Sequence, residues 1–273
     1  MLSQVAIFNA IFATIQLALG IGLLWRRTSH AALAATIGWA LSVWWLGEGL
    51  GGILTGSASP VTGAPGAALI YAVIALLAWP ARGGTRAAAG SIAASSIAAG
   101  SRVGLRGAQL IWAALWISSA CLILQAPNRA AAALHDTVAG LAAGEPGWIA
   151  AMDRGAAGLI GSGGIAFSVV AAVAFLVIAA GVFLPAVTRP AQILAALAAL
   201  VMWAVGQDFG GILTGQGTDP STGPLLVLLA AAFWPLRGSV QTQWQDGAAP
   251  STTGERSPVL ASQGSRVSPG APR

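Results

Sequence analysis

The chain contains one short segment twice, and this repeat constrains the fold more than any other feature. The hexapeptide GGILTG occupies residues 51–56 and recurs at residues 210–215, an offset of 159. Flanking positions correspond at the same offset, because Gly22 matches Gly181 and Trp44 matches Trp203. Self-similarity of this kind predicts that one structural unit was used twice.

The small number of charges places this unit in a membrane. Charged residues make up 8% of the 273 residues, and 56% are hydrophobic. Soluble domains carry about 25% charged residues, so this chain has too few to cover a water-facing surface. A membrane-spanning helix needs about 20 apolar residues. Seven apolar runs approach that length, at residues 5–25, 31–46, 65–80, 109–125, 159–184, 191–205 and 223–235.

The repeat and the seven runs together predict an all-α, polytopic membrane protein. Runs one to three and five to seven belong to the two copies and begin on the same side, so the copies are parallel repeats joined by the fourth run. We expect the first three-helix repeat over residues 1–86 and the second over residues 159–238. Residues 87–158 hold a cytoplasmic linker, the fourth span and an outer surface loop. Residues 239–273 are rich in Pro, Ser and Gly, which predicts a disordered cytoplasmic tail.

The arginines predict the orientation. All 13 basic residues are Arg, and only Arg129 and Arg154 fall in loops on the side opposite to the other eleven. Basic residues concentrate on the cytoplasmic side of membrane proteins, so we expect an outside N-terminus and a cytoplasmic C-terminus in a bacterial inner membrane. The sequence pI of about 11.3 does not indicate nucleic-acid binding, because the arginines stand singly or in pairs beside apolar runs.

Each copy of the repeat places polar residues and paired glycines after a spanning run. Glu48 follows Trp44 by four residues, and Gln207 follows Trp203 in the same way. If the second and sixth runs stay helical to residues 54 and 213, these residues share one helix face. Glu48 would then lie in the apolar layer, where an ionisable group indicates function. We nominate as ligand or ion-binding residues Glu48, Thr55, Gln207, Asp208, Thr214 and Asp219, and as positions of backbone approach or helix packing Gly51, Gly52, Gly210 and Gly211.

Two hypotheses about function follow from this segment. The first is transport or binding of a small solute or ion near the outer ends of spans two and six. The second is a non-catalytic structural or assembly partner, in a homo- or hetero-oligomer, whose glycines four residues apart pack against other helices. The stretch TDPSTG is typical of a tight turn and a helix cap, so turn geometry alone also explains part of the repeat.

No motif predicts catalysis or a cofactor. Cys121 is the single cysteine, and its position inside an apolar run predicts a small buried residue. His30 and His135 fall on opposite sides of the predicted membrane. Neither zinc-ligand spacing nor a phosphate-binding glycine loop occurs in the sequence. Whether the chain is an enzyme therefore stays open, as does a hard cation held by Glu48, Asp208 or Asp219. The expected partners are the lipid bilayer and a small solute or ion.

The stretch from GGILTG to TDPSTGPL, with its earlier degenerate copy, resembles a family of uncharacterised multi-span membrane proteins of high-GC bacteria. The resemblance covers most of the seven runs and excludes the tail. It implies a polytopic membrane fold and brings no activity, cofactor or site residue.

Overall fold

The computed structural model of the protein describes residues 2–80, 101–214, 217 and 219–234. The described residues are helical and contain no β-strand. The predicted linker from residue 87 to 100 and the predicted tail from residue 239 lie outside the described residues. The α-helices are α1 Leu2–Leu24, α2 Ser29–Leu46, α3 Ala67–Ala78, α4 Gly104–Ile123, α5 Ala133–Leu141, α6 Gly147–Ile160, α7 Gly164–Gly181, α8 Thr188–Gly206 and α9 Thr222–Ala232.

Four of these helices, α1, α4, α7 and α8, are long and apolar enough to span a membrane. This agrees with the predicted membrane class. Helices α3 and α9 have 12 and 11 residues, and at 1.5 Å per residue each is under about 20 Å long. Both are shorter than the predicted runs at residues 65–80 and 223–235. In α3, Gly66 precedes the first residue and the extended Trp79 leads into Pro80.

Helix α4 lies at the centre of the core. Its side chains Trp112 and Trp116 are fully buried, and the Trp112 indole N–H donates a hydrogen bond of 3.0 Å to the carbonyl of Ile178 on α7. The Trp112 ring also packs on Phe233, with 4.9 Å between ring centroids. Helix α1, in contrast, buries none of its apolar span, and it packs mainly on α2.

The connection between α4 and α7 contains two further helices, α5 and α6. The sequence predicts an outer surface loop here, and Leu134, Val138 and Leu141 fit either a short surface helix or an ordinary loop; the structure has the helix α5, with Val138 buried. Helix α6 extends to Ile160, so the first residues of the predicted fifth run belong to α6. Helix α7, which is long and apolar enough to span a membrane, begins only at Gly164.

The repeated segments form a left-handed turn in both copies. Helix α2 ends at Leu46 and α8 ends at Gly206, so the expectation that they continue to residues 54 and 213 is wrong. Glycine adopts positive φ without steric cost, and the paired glycines allow the chain to reverse its hand. The positive φ angles are 54°, 60°, 64° and 70° at Gly49, Leu50, Gly51 and Gly52, and 45°, 54°, 73° and 66° at Asp208, Phe209, Gly210 and Gly211.

Candidate functional site

Glu48 and Gln207, at matching positions of the two copies, each connect one helix end to the start of the next helix. Glu48 Oε1 accepts a hydrogen bond of 3.0 Å from the backbone N–H of Ala68. Gln207 Oε1 accepts one of 3.3 Å from the backbone N–H of Gly223. Ala68 and Gly223 are the second residues of α3 and α9, where helical N–H groups have no partner within the helix. The two side chains therefore cap α3 and α9.

The two caps differ in what they leave free. Gln207 Oε1 also accepts hydrogen bonds from the hydroxyls of Ser221 and Thr222, at 2.7 and 3.0 Å. Its amide nitrogen donates to the carbonyl of Val61 at 3.5 Å. Glu48 Oε2, in contrast, is buried without a hydrogen-bond partner. Gln207 is thus engaged by the protein on both side-chain atoms, whereas Glu48 keeps an acceptor.

The glycines of the two turns allow the backbone to come close to the loop that follows. A β-carbon on Gly51 would overlap the carbonyl of Pro65, and one on Gly210 would press on the carbonyl of Pro220. Gly52 and Gly211 have more room, with no atom within 3.4 Å of a β-carbon at Gly52. Because none of the four is in an α-helix, the interpretation as a helix-packing stripe is wrong. Backbone approach describes Gly51 and Gly210.

Two adjacent cavities, each of about 430 Å³, lie beside these turns. Thr62, Asp219 and Ser221 line both. All the nominated residues line one cavity or the other. The first cavity is lined by Glu48, Thr55, Gly51 and Gly52, and the second by Gln207, Asp208, Thr214, Gly210 and Gly211.

The cavities lie where the two copies meet. Val61, in the loop of the first copy, accepts the hydrogen bond from Gln207 of the second. A β-carbon on Gly206 would overlap the Val61 carbonyl, so that glycine is required for the loop to seat. Gly63 of the same loop lies against Thr222, at 3.7 Å from a β-carbon position. Asp219 therefore faces residues of both copies.

The described lining of the two cavities is acidic. Four carboxyl groups line them, those of Glu48, Glu145, Asp208 and Asp219, and no Arg does. Across the described part of the chain, the ion pair that forms is His135 with its neighbour Asp136, which lines neither cavity. A concave surface lined by charges of one sign concentrates ligands of the opposite sign. This geometry favours a positively charged ligand.

Asp208 is the most buried of these carboxyl groups. It is 7% exposed, and its Oδ1 has no hydrogen-bond partner. Burial raises the pKa of Asp208 to about 7, and the charges of Asp153 and Glu145 act in the same direction. Burial also raises the pKa of Asp153, while Asp208 and Arg154 lower it. Asp208 is therefore the member of the pair that holds a proton near neutral pH.

Asp153 is a site residue that the sequence interpretation missed, because it was assigned to an outer loop. Its side chain is completely buried on α6. A signal was present, since Ile149, Ala150 and Ala157 lie four, three and four residues from Asp153 on the same helix face and are buried. An acid within such an apolar stripe indicates a buried carboxyl group.

Glu48 is partly buried, as a milder case of the burial described for Asp208. Burial raises the pKa of its carboxyl group, the N–H groups of Ala68 and Ala67 oppose that shift, and the charge of Asp219 adds to it. Within the described residues, no group of three or more His, Cys, Asp or Glu side chains is arranged to hold a metal ion. The acids are spread around the cavities.

Comparison with known proteins assigns the chain to no family: no protein-family model matches it, and neither a curated protein nor a solved structure shows a significant match.

Proposed function

We propose that this protein binds a small organic cation in the two cavities and moves it across the membrane. The observation that carries the proposal is the set of four carboxyl groups around adjacent cavities without a lining Arg. One of them, Asp208, is buried with an unpartnered oxygen. Cavities of about 430 Å³ lie within the range typical of small-molecule sites, roughly 300–1,000 Å³.

The spacing of the acids favours an organic cation over a chelated metal ion. Hard metal ions need about six or more oxygen atoms at 2.0–2.6 Å, and no such cluster occurs among the described residues. An ammonium group has several N–H donors and no acceptor. It can therefore satisfy the free oxygens of Glu48 and Asp208 one at a time.

We also propose the architecture in which this site operates. Helices α1–α3 and α7–α9 form two parallel repeats, α4 links them, and seven segments cross a bacterial inner membrane with the N-terminus outside and the C-terminus in the cytoplasm. The matching turns and the matching caps on α3 and α9 support the repeat. Short helices at corresponding places in two halves are typical of transporter binding sites.

Asp208 would couple the cation to a proton. A bound cation favours the ionised carboxyl group over the neutral one. Because the pKa of Asp208 is raised to about 7, cation binding near neutral pH releases a proton from it. Affinity for the cation should then increase as the pH rises through about 7 and level off above it.

Uptake into proteoliposomes tests the proposal, with radiolabelled methylammonium as the probe. Glu48→Gln keeps an acceptor for Ala68, as Gln207 does for Gly223, so the cap survives while the charge is lost. Asp208→Asn removes the second charge. We expect each variant to lower uptake at least tenfold and the double variant to abolish it. Asp136→Asn is the control, because Asp136 is 71% exposed. Uptake at the wild-type rate in Glu48→Gln, Asp208→Asn and the double variant would refute the proposal.

The alternative, an assembly partner that packs through glycine faces, has no supporting observation in this geometry. Gly51 and Gly210 contact Pro65 and Pro220 of the same chain, and neither is on a helix face. That alternative predicts that Gly51→Leu and Gly210→Leu disrupt a complex while the acid substitutions are silent. Co-purification from mild detergent distinguishes the two.

A further inference from the structure

A third cavity of about 360 Å³ lies between α1, α2 and α3, and we call it the crevice. Its α1 wall includes Gly20 and Leu23, and its α2 wall includes Trp39 and Val43. Its lining is predominantly apolar. Unlike the two acidic cavities, the crevice therefore suits a hydrocarbon chain.

The crevice and the first cavity have two lining residues in common at one end. Glu48 and Asp219 line both, so the apolar space ends at two carboxyl groups. A ligand that lies in the crevice thus places one end beside negative charge. The matching ligand end is a cation.

The other side of the crevice faces the membrane. None of the apolar span of α1 is buried within the protein, and Leu23 of the crevice wall is 41% exposed. In a bilayer this exposed surface is covered by lipid chains. A hydrophobic ligand dissolved in the bilayer therefore reaches the crevice past α1 without crossing water.

Polar atoms on the crevice walls lack partners. Thr36 Oγ1, Trp39 Nε1 and Glu48 Oε2 are each buried and without a hydrogen bond, and all three residues line the crevice. Trp39 lies seven residues before the end of α2, which is about 10 Å along the helix. A ligand that reaches both ends must be elongated. An oxygen atom along its chain would accept the Trp39 indole N–H.

We infer that the crevice binds the apolar tail of an elongated amphiphilic cation, a long-chain alkylammonium whose chain carries an oxygen function. The head group lies between Glu48 and Asp219, and the tail runs along α2. The inference names the substrate class of the proposed site and rests on that proposal for the head group. The bilayer is then the source of the substrate.

Binding of methylammonium and of primary alkylammonium ions of increasing chain length, kept short enough to stay in water, tests the inference when it is measured in lipid nanodiscs as the excess over protein-free nanodiscs. Gly20→Leu fills the crevice, since no atom lies within 4 Å of a β-carbon there. Gly38→Leu is the matched control, because Gly38 is equally open and does not line the crevice. In the wild type we expect about fourfold tighter binding per added methylene. Gly20→Leu should remove this increase and leave methylammonium binding unchanged, and Gly38→Leu should behave as wild type.

A chain-length dependence in Gly20→Leu equal to that of the wild type would overturn the inference. The short probe separates this result from failure of the proposed function. If methylammonium does not bind while the longer chains bind in a Gly20-dependent way, the small-cation proposal fails and the crevice stands. Trp39→Phe is a second variant that keeps the aromatic ring. It should weaken binding of an ether-containing chain several-fold and leave an all-carbon chain unaffected, and equal effects on both chains would contradict the role of the indole N–H.

Discussion

Asp208 should make the stability of the protein fall as the pH rises, and Asp208→Asn should remove most of that dependence. The carboxyl group has its ordinary pKa of 3.8 in the unfolded chain and a pKa of about 7 in the folded protein, because folding buries it. The folded state therefore holds the proton more tightly. This stabilisation is complete below pH 3.8 and is lost as the pH rises to about 7. At about 1.4 kcal/mol per tenfold change in proton affinity, it amounts to about 4 kcal/mol.

Thermal unfolding in detergent between pH 4.5 and pH 8 measures this effect. We expect the wild-type Tm to fall across the range by on the order of ten degrees. The Tm of Asp208→Asn should depend less on pH than that of the wild type, and it should be the higher of the two at pH 8. The substitution suits the backbone, because Asp208 has a φ of 45° and Asn tolerates the left-handed region. A smaller slope of the same sign should persist, since burial also raises the pKa of Asp153 and Glu48.

Asp136→Asn should keep the wild-type slope, because its side chain is 71% exposed. Two results would refute the reasoning. One is a wild-type Tm that rises with pH over this range. The other is a slope in Asp208→Asn as steep as that of the wild type, which would assign the proton to another group.

Two further pairs of substitutions test the structure around the site. Gly51→Ala should lower stability by about 3 kcal/mol, because alanine is strained at positive φ and its β-carbon would overlap the Pro65 carbonyl. Gly52 also has a positive φ but has room for a β-carbon, so Gly52→Ala should lower stability by only about 1 kcal/mol. Equal Tm values for the two variants would contradict the close approach of Gly51 to Pro65. Gln207→Leu should lower stability by about 2 kcal/mol and speed hydrogen exchange at Gly223, because the cap is removed. Gln207→Glu should preserve protection there, and faster exchange in that variant would count against capping.

The membrane class could be predicted from the sequence because charge content and apolar runs report directly on the solvent. The left-handed conformation of the repeated turn could not be predicted from the sequence. Ile53 and Leu54 continue the apolar pattern of α2. An apolar pattern does not reveal whether the backbone has switched from right-handed to left-handed φ angles. The glycines carried that information, but a glycine pair also fits close helix packing. The positive φ angles of these glycines and the close approach of Pro65 and Pro220 to Gly51 and Gly210 distinguish the two.

Several site contacts join residues far apart in the chain, which local spacing does not reveal. Glu48 meets Ala68 twenty residues later, and Asp208 meets Asp153 of α6. Cys121 shows a different limit, because its apolar surroundings predict burial and the structure exposes it. Helix α4 is long and apolar enough to span a membrane, and on a helix that spans a membrane an exposed side chain lies against lipid. An apolar neighbourhood there does not require burial in the protein.

The caps made by Glu48 and Gln207 have a consequence for how such a protein can change over time. Each cap fastens a helix end to the start of the next helix directly, so the position of α3 or α9 depends less on the intervening loop. The loops do differ, as SASPVTGAP before α3 and QGTDPS before α9. In the proposed site these loops would face the ligand. Exchange of loop residues other than Val61 and Ser221, which contact Gln207, would then alter the surface that the ligand meets, while the caps keep the starts of α3 and α9 in place.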